Sequence, residues 1–428
     1  MGAAVLLLKH VNRGHESAKF AVCANTSARG GCSLTFSFFE CADCGFLNTN
    51  VPAVPDIDLT HYRWPAEWEA HNSTWVSWPV NQATWPGIFA RVPAAFARFV
   101  ATITCFERVN VLTGGTDIAR KVRPLLDAAC EKSGATFDIC MVDIQTDDAW
   151  CRDYGPVFLN SMSAAPDVSP QIVVDWGYNA WGGKYPPWDK DSAVTEQLAR
   201  HQAVPRLQPG IILEGGAIEG NGGGTLMTTE SCLLNTNRNP RHDQSAMEST
   251  LRKFFRAETI VWLPGHGILG DDTDGHIDQI ARFADERTVL IAAPWNSDAP
   301  EATDLRANYA AIAKAGNNCG AALRPIELQM PAPKFQQGRR LPACYCNFYI
   351  VNGGVIVPMF NDPADDEAMQ VLQTAFPDRR VVGVDAVDLV WGLGAFHCLT
   401  QQQPAVNGNG RQETVGYRNS EPQGASRG

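Results

Sequence analysis

Short runs of apolar, often β-branched residues, joined by glycine- and asparagine-rich turns and followed by an amphipathic stretch, recur about five times between residues 58 and 404. Four of the paired runs read as hairpins: residues 155–159 with 171–175, 217–218 with 225–228 across Asn221-Gly-Gly-Gly224, 277–283 with 288–292, and 346–350 with 355–357 across Asn352-Gly-Gly354. Apolar residues at helical spacing predict helices near residues 89–105, 119–130, 192–200, 245–256, 305–315 and 364–376. A hairpin with one helix cannot bury its own apolar face, so such units must stack. About five of them close naturally into a ring, which makes the fold class α/β and points the strand ends, with any chemistry they carry, at a shared centre.

The flanks break this pattern. Residues 1–57, rich in Ser, Gly and Asn, are expected to be a disordered extension, or sequence upstream of a true start near Val51 or Val54. Cys41-Ala-Asp-Cys44 has the spacing of half a zinc site, but Cys23 and Cys32 do not form a second close pair. Residues 405–428 read as a disordered tail, which leaves 58–404 as a single domain.

Composition narrows the partners. Lys and Arg number 35 against 46 Asp and Glu, a net charge of −11. Nucleic-acid binders need basic stripes, so this balance argues against nucleic acid and suits a small cation. No apolar run approaches the ~20 residues of a membrane span, and the stretch from Ala3 to Leu8 is too short for a signal-peptide core. No membrane partner and a cytoplasmic location are therefore expected. Thirteen cysteines, an odd number over a long chain, suit reduced thiols better than a disulfide framework.

Polar residues gather at the hairpin ends in four places: Asp147-Asp-Ala-Trp-Cys-Arg-Asp153, Glu214-Gly-Gly216, Gly270-Asp-Asp-Thr-Asp-Gly-His-Ile-Asp278 and Phe396-His-Cys-Leu-Thr-Gln-Gln-Gln403. His276 and Asp278, two apart, share one face of an extended strand and can converge on one ligand. A calcium loop does not fit, because no Asp spacing puts glycine sixth. A histidine metal site would have to join His266 and His397 to His276. Cys398 follows the flexible Gly392-Leu-Gly394 and precedes polar Thr400-Gln-Gln402. On a strand its neighbour His397 points to the opposite face, so its base must come from elsewhere, with His276 the candidate. Cys151, between Trp150 and Arg152, is expected to point away from the site.

At these clusters the sequence resembles the agmatine deiminases of the pentein, or guanidine-modifying, superfamily, which is related to the Porphyromonas-type peptidylarginine deiminases. The likeness spans nearly all of 59–404 and includes Pro65-Ala-Glu-Trp68, Trp75-Val-Ser-Trp-Pro79, Asn179-Ala-Trp-Gly-Gly183, Thr229-Glu-Ser-Cys-Leu-Leu234, Asn237-Arg-Asn-Pro240 and Asn347-Phe-Tyr-Ile350. It implies a five-bladed α/β propeller, the pentein fold. It also implies hydrolysis of agmatine to N-carbamoylputrescine and ammonia, in putrescine and polyamine biosynthesis, with no metal and no cofactor. On this resemblance Cys398 is the nucleophile, His276 the acid/base, Glu214 its orienting carboxylate, and Asp153 and Asp278 the guanidinium clamp. Asp272 and Trp150 are further substrate contacts, Asp272 facing the distal ammonium. A homo-oligomer is compatible with it.

The chemistry accounts for that set. A guanidinium is a planar, delocalised cation that water attacks poorly, and two carboxylates can hold its N–H groups while leaving one face open to a thiolate. Leu393 and Ala395 stand where the family usually has Gly and Asn beside the nucleophile, which bears on loop closure and substrate choice. Another guanidine such as a peptidyl-arginine is the alternative substrate. The alternatives in class are a metal-dependent amidohydrolase using His266, His276 and His397, and a binding protein of the same fold without turnover.

Overall fold

A computed structural model describes residues 57–406. The readings made for residues 1–56, including the Cys41 and Cys44 pair, and for the tail from 407 lie outside the described residues. Within 57–406, three- and four-stranded sheets follow one plan: an antiparallel hairpin, a helix, then a strand parallel to the second strand of the hairpin. Val157–Ser161 pairs with Gln171–Val174, and after the helix Val194–His201 the strand Arg206–Leu207 joins in parallel. Ile218–Gly220 and Thr225–Thr229 are followed by Gln244–Phe255 and Thr259–Leu263. Ala281–Phe283 and Thr288–Ala293 are followed by Ala302–Lys314 and Arg324–Gln329. Tyr349–Val351 and Gly354–Met359 are followed by Asp365–Ala375 and Arg380–Asp385.

The remaining sheet draws on both ends of the described chain. Thr400–Pro404 pairs antiparallel with His71–Ser77, and the helices Val92–Ile103 and Thr116–Ser133 lead to the parallel strands Val109–Leu112 and Ile139–Val142. The repeat is thus strand, strand, helix, strand, where the sequence showed only the hairpin and the helix. Parallel strands need a crossover of this length, which the helix supplies. A short hairpin, Phe335–Gln336 with Arg339–Arg340, stands outside the plan.

Two expectations about local structure are corrected. Ile277–Ile280 is a helical turn with His276 as its N-cap residue, and the strand begins only at Ala281. His276 and Asp278 therefore do not share the face of an extended strand. Cys398 lies in a turn ahead of Thr400–Pro404 rather than on a strand, so strand alternation does not decide where His397 points.

The helices turn their apolar stripes inward for ordinary reasons of sequence. Val92–Ile103 carries Pro93 as its second residue, tolerated there because the first N–H groups have no helical partner, and it buries Phe96, Phe99 and Val100. Thr116–Ser133 stops at Gly134, whose φ of 71° is costly for a residue with a Cβ. Gln244–Phe255 starts where Asp243 accepts the N–H of Ala246 at 2.9 Å. Phe99 stacks on Phe396 with ring centroids 4.3 Å apart, which ties a core helix to the turn carrying Cys398. Truncating a buried phenylalanine costs about 3–5 kcal/mol, so this contact anchors that turn firmly. No helix among the described residues is long and apolar enough to cross a membrane.

Candidate active site

Each of the five sheets has a short helical or irregular turn immediately before its first strand, and the polar clusters sit there. Cys151–Tyr154 carries Asp153, Gly215–Ala217 is capped by Glu214, Ile277–Ile280 carries Asp278 with His276 at its cap, Tyr345–Asn347 ends in Asn347, and the turn before Thr400–Pro404 carries Cys398. The same position in every repeat therefore carries a buried polar side chain or thiol. Three of them face one small space. A Cβ added to Gly216 would lie 2.6 Å from His276 Nδ1, 2.7 Å from Asp153 Oδ1 and 3.1 Å from Asp278 Oδ2, so only glycine fits.

Of these groups Asp153 lines a cavity of about 500 Å³, together with Trp150, Trp181, Asp272, Leu393 and Cys398. Asp147, Asp148 and Asp191 add carboxylates to the wall, against Lys184, Lys190 and Arg339. Leu393 holds a left-handed φ of 76°, a conformation that is strained for a leucine and recurs where function demands it.

Asp153 and Asp278 are held differently. Asp153 accepts hydrogen bonds from Trp181 Nε1 at 2.9 Å and Gly216 N at 3.0 Å, and lies 3.6 Å from His276 Nδ1. Burial pushes its carboxyl up to about 6, and the neighbouring Asp278 charge adds to the rise. Asp278 Oδ2 is 2.8 Å from His397 Nδ1 and 3.4 Å from Cys398 Sγ. Burial opposes its ionisation too, but the His397 hydrogen bond prevails and holds the carboxyl below the ordinary range. The other His397 nitrogen meets Glu67 Oε2 at 2.8 Å, and Glu67 in turn pairs with Arg282 at 2.8 Å.

Burial, then the charges of Asp278 and Asp153, push the Cys398 thiol well above its ordinary value, so without a cation nearby it is protonated. Although burial disfavours its charge, the Asp153 carboxylate and the adjoining Cys232 and Glu214 hold His276 well above the ordinary imidazole range. Both ring nitrogens of His276 are buried, held by the Cys232 side chain and by Asp153 at 3.6 Å, whereas the buried Asp278 Oδ1 has no hydrogen-bond partner. Such an orphaned atom is costly and calls for an explanation.

Cys398, His276, Asp153 and Asp278 are thus brought together. Glu214 is beside them, but its Oε1 accepts from Arg238 Nε at 2.9 Å and it acts on His276 by charge rather than by a hydrogen bond. Arg238 also reaches the carbonyl of Thr273 at 2.9 Å, so it clamps Glu214 to the loop before His276. Trp150 lies under the nucleophile turn, where a Cβ on Gly394 would meet its ring at 2.5 Å. Asp272 is on the wall, hydrogen-bonded by Tyr185 and 3.6 Å from Arg339. Cys151 is fully buried, its thiol pushed up to about 12 by burial, and unlike Cys398 it does not line the cavity.

The histidine metal set is not assembled: His266 is exposed, while His397 is spent on two carboxylates. Among the described residues the donors close enough to share an ion are Glu214, Cys232 and His276, with atoms within 4.8 Å of one another. An ion there would compete with Arg238 for Glu214 and would occupy His276. Trp181, Arg238, Cys232, Glu67 and Asn347 had no role assigned from sequence, although each lies within or beside a motif that carried the family resemblance.

Residues 63–404 match the Porphyromonas-type peptidyl-arginine deiminase family. An agmatine deiminase from Stutzerimonas stutzeri is 37% identical over 376 residues, covering 80% of this chain and 96% of its own. One from Medicago truncatula is 34% identical, covering 81% and 97%. Among solved structures, a substrate-bound cysteine-to-serine variant of the C. jejuni agmatine deiminase superposes with a TM-score of 0.72 at 26% identity, over 81% of this chain and 97% of that one. The Enterococcus faecalis agmatine deiminase gives 0.71 at 30% identity, over 81% and 96%.

Proposed function

Because this chain belongs to the Porphyromonas-type peptidyl-arginine deiminase family, we propose that it hydrolyses agmatine to N-carbamoylputrescine and ammonia through a covalent intermediate on Cys398. The observation that carries the reading is Asp278, whose Oδ2 lies 3.4 Å from the sulphur of the buried Cys398 and whose buried Oδ1 has no partner, set around Gly216 with Asp153 and His276. A planar cation with several N–H donors satisfies the carboxylates, and its central carbon then faces the thiol.

On this reading the guanidinium enters between Asp153 and Asp278 and cancels the two charges that push the thiol up, so Cys398 loses its proton to water as substrate binds. The thiolate forms a bond to the central carbon, and the imidazolium of His276 gives its proton to the departing ammonia, leaving an amidino-thioether. His276, now neutral, takes a proton from water as it attacks that carbon. The carbon–sulphur bond breaks, its electron pair returns to sulphur, the remaining hydroxyl proton passes to that thiolate, and the neutral ureido product leaves. Glu214 keeps the imidazolium favoured, and Asp272 on the cavity wall receives the distal ammonium.

The five repeats are the blades of a propeller around this site, residues 58–404 form its catalytic domain, and the enzyme works in the cytoplasm. The buried Cys151, Cys232, Cys344, Cys346 and Cys398 are free thiols, in keeping with a reducing compartment. The test is a panel of agmatine, arginine and a peptidyl-arginine, assayed for ureido product with a chelator present. Agmatine is expected to be turned over best, and Cys398→Ala to be inactive. Equal turnover of arginine would overturn the substrate, and an active Cys398→Ala would overturn the mechanism.

A further inference from the structure

Of the five turns that precede the first strands, the one ending at Asn347 is without a role so far. Its side chain is buried and faces the nucleophile turn. Oδ1 accepts the backbone N–H groups of Ala395 at 3.0 Å and Cys398 at 3.3 Å, and the Asn347 carbonyl accepts from His397 N at 3.1 Å. Two N–H donors on Oδ1 fix the amide, because reversing it would set donors against donors. Nδ2 then faces Cys398 Sγ at 3.1 Å, with the Asp278 carbonyl at 3.4 Å.

The other polar atom on the sulphur is Asp278 Oδ2 at 3.4 Å, which can accept from a thiol but repels a thiolate. Among the described residues, the hydrogen bond that favours the ionised sulphur therefore comes from Asn347. We propose that Asn347 is a catalytic residue, its amide N–H stabilising the Cys398 thiolate while its carbonyl oxygen fixes the turn that presents the sulphur. A thioether accepts hydrogen bonds weakly, so the contact is strong before attack, fades in the covalent intermediate and returns as sulphur leaves. The downward pull of Asn347 on an otherwise elevated thiol agrees with this.

The inference rests on Cys398 being the nucleophile, and its test reads that thiol directly. Asn347→Asp keeps the size and the acceptor for the two backbone N–H groups but loses the donor; Asn347→Ala loses both. Iodoacetamide alkylation of each, and of the parent, is followed against pH, with Cys398 identified by peptide mass. In both variants its apparent pKa should rise by about one to two units, slowing alkylation about ten- to a hundredfold near neutral pH. With agmatine, kcat of Asn347→Asp should fall while KM does not rise, because the clamp carboxylates are intact. A folded variant with the parent's alkylation profile would overturn the proposal, and Asn347→Ala decides it if Asn347→Asp does not fold. A shifted profile in a protein that deiminates no guanidine would sink the functional reading and leave this one standing.

Discussion

Asp278→Asn gives the sharpest test of the site, because it should move two measurements in opposite directions. Asp278 is fully buried, with Oδ2 shared between His397 at 2.8 Å and the Cys398 sulphur at 3.4 Å and with Oδ1 unpartnered. The change keeps the shape and removes one of the two charges that face the guanidinium. A buried charge pair left half-made costs about 3–5 kcal/mol. At about 1.4 kcal/mol per tenfold, kcat/KM for agmatine should fall between a hundredfold and several thousandfold. The same change removes the largest charge that pushes the Cys398 thiol up, so the thiol should alkylate faster at neutral pH. Initial rates of ureido formation give the first quantity and mass-mapped iodoacetamide kinetics the second, with a melting curve to show that the variant is folded. A folded Asp278→Asn enzyme within tenfold of the parent in kcat/KM, or one whose Cys398 alkylates more slowly, would refute the reasoning.

His276→Ala leaves the sulphur able to attack but makes the departing ammonia take its proton from water and removes the group that activates the second water, so intact-mass measurement after mixing with agmatine should find an amidino adduct on Cys398 that forms slowly and does not turn over; an adduct on Cys151 would contradict the assignment. Asp272→Asn should raise KM for agmatine by about tenfold and leave a guanidine without a distal amine unaffected, whereas equal losses on both would place Asp272 in the core of the site. Asp191 is pushed up to about 8 by burial, against the pull of the Asp147 and Asp148 backbone N–H groups. The folded protein thus keeps a proton that the unfolded chain releases near pH ~4, so this residue's contribution declines as pH rises from ~4 to ~8. Asp191→Asn keeps the acceptor and should raise the melting temperature at pH 8 but not at pH 4; a parallel shift at both would assign its effect to packing.

The hairpins were readable because each pairs apolar runs across a glycine turn, as in Ile218–Gly220 with Thr225–Thr229. The third strands were not: Arg324–Gln329 and Arg380–Asp385 lie at sheet edges, are largely solvated and lack the alternation that marks a half-buried strand. At the site, acids, histidine and cysteine were visible because those side chains are scarce at hairpin ends. Their geometry was not, since a four-residue helical turn such as Ile277–Ile280 is too short to leave a period in the sequence. Asn347 stayed silent for a different reason. An asparagine ahead of Phe-Tyr-Ile reads as a turn residue, and only the folding of Cys398 against it, 51 positions later, shows what its amide does.

The strand behind Cys398 completes its sheet late in synthesis. Trp75 and Gln403, joined through Trp75 Nε1 at 3.0 Å, are 328 positions apart in the chain. On a ribosome, His71–Ser77 must therefore wait with one edge open while the intervening repeats emerge, since its antiparallel partner is almost the last part of the domain to appear. Cys398, the proposed nucleophile, arrives with that partner. A nascent chain therefore has no reactive centre before its first and last sheet-forming segments have met, and a message cut short before them yields a protein with a clamp and no thiol to use it.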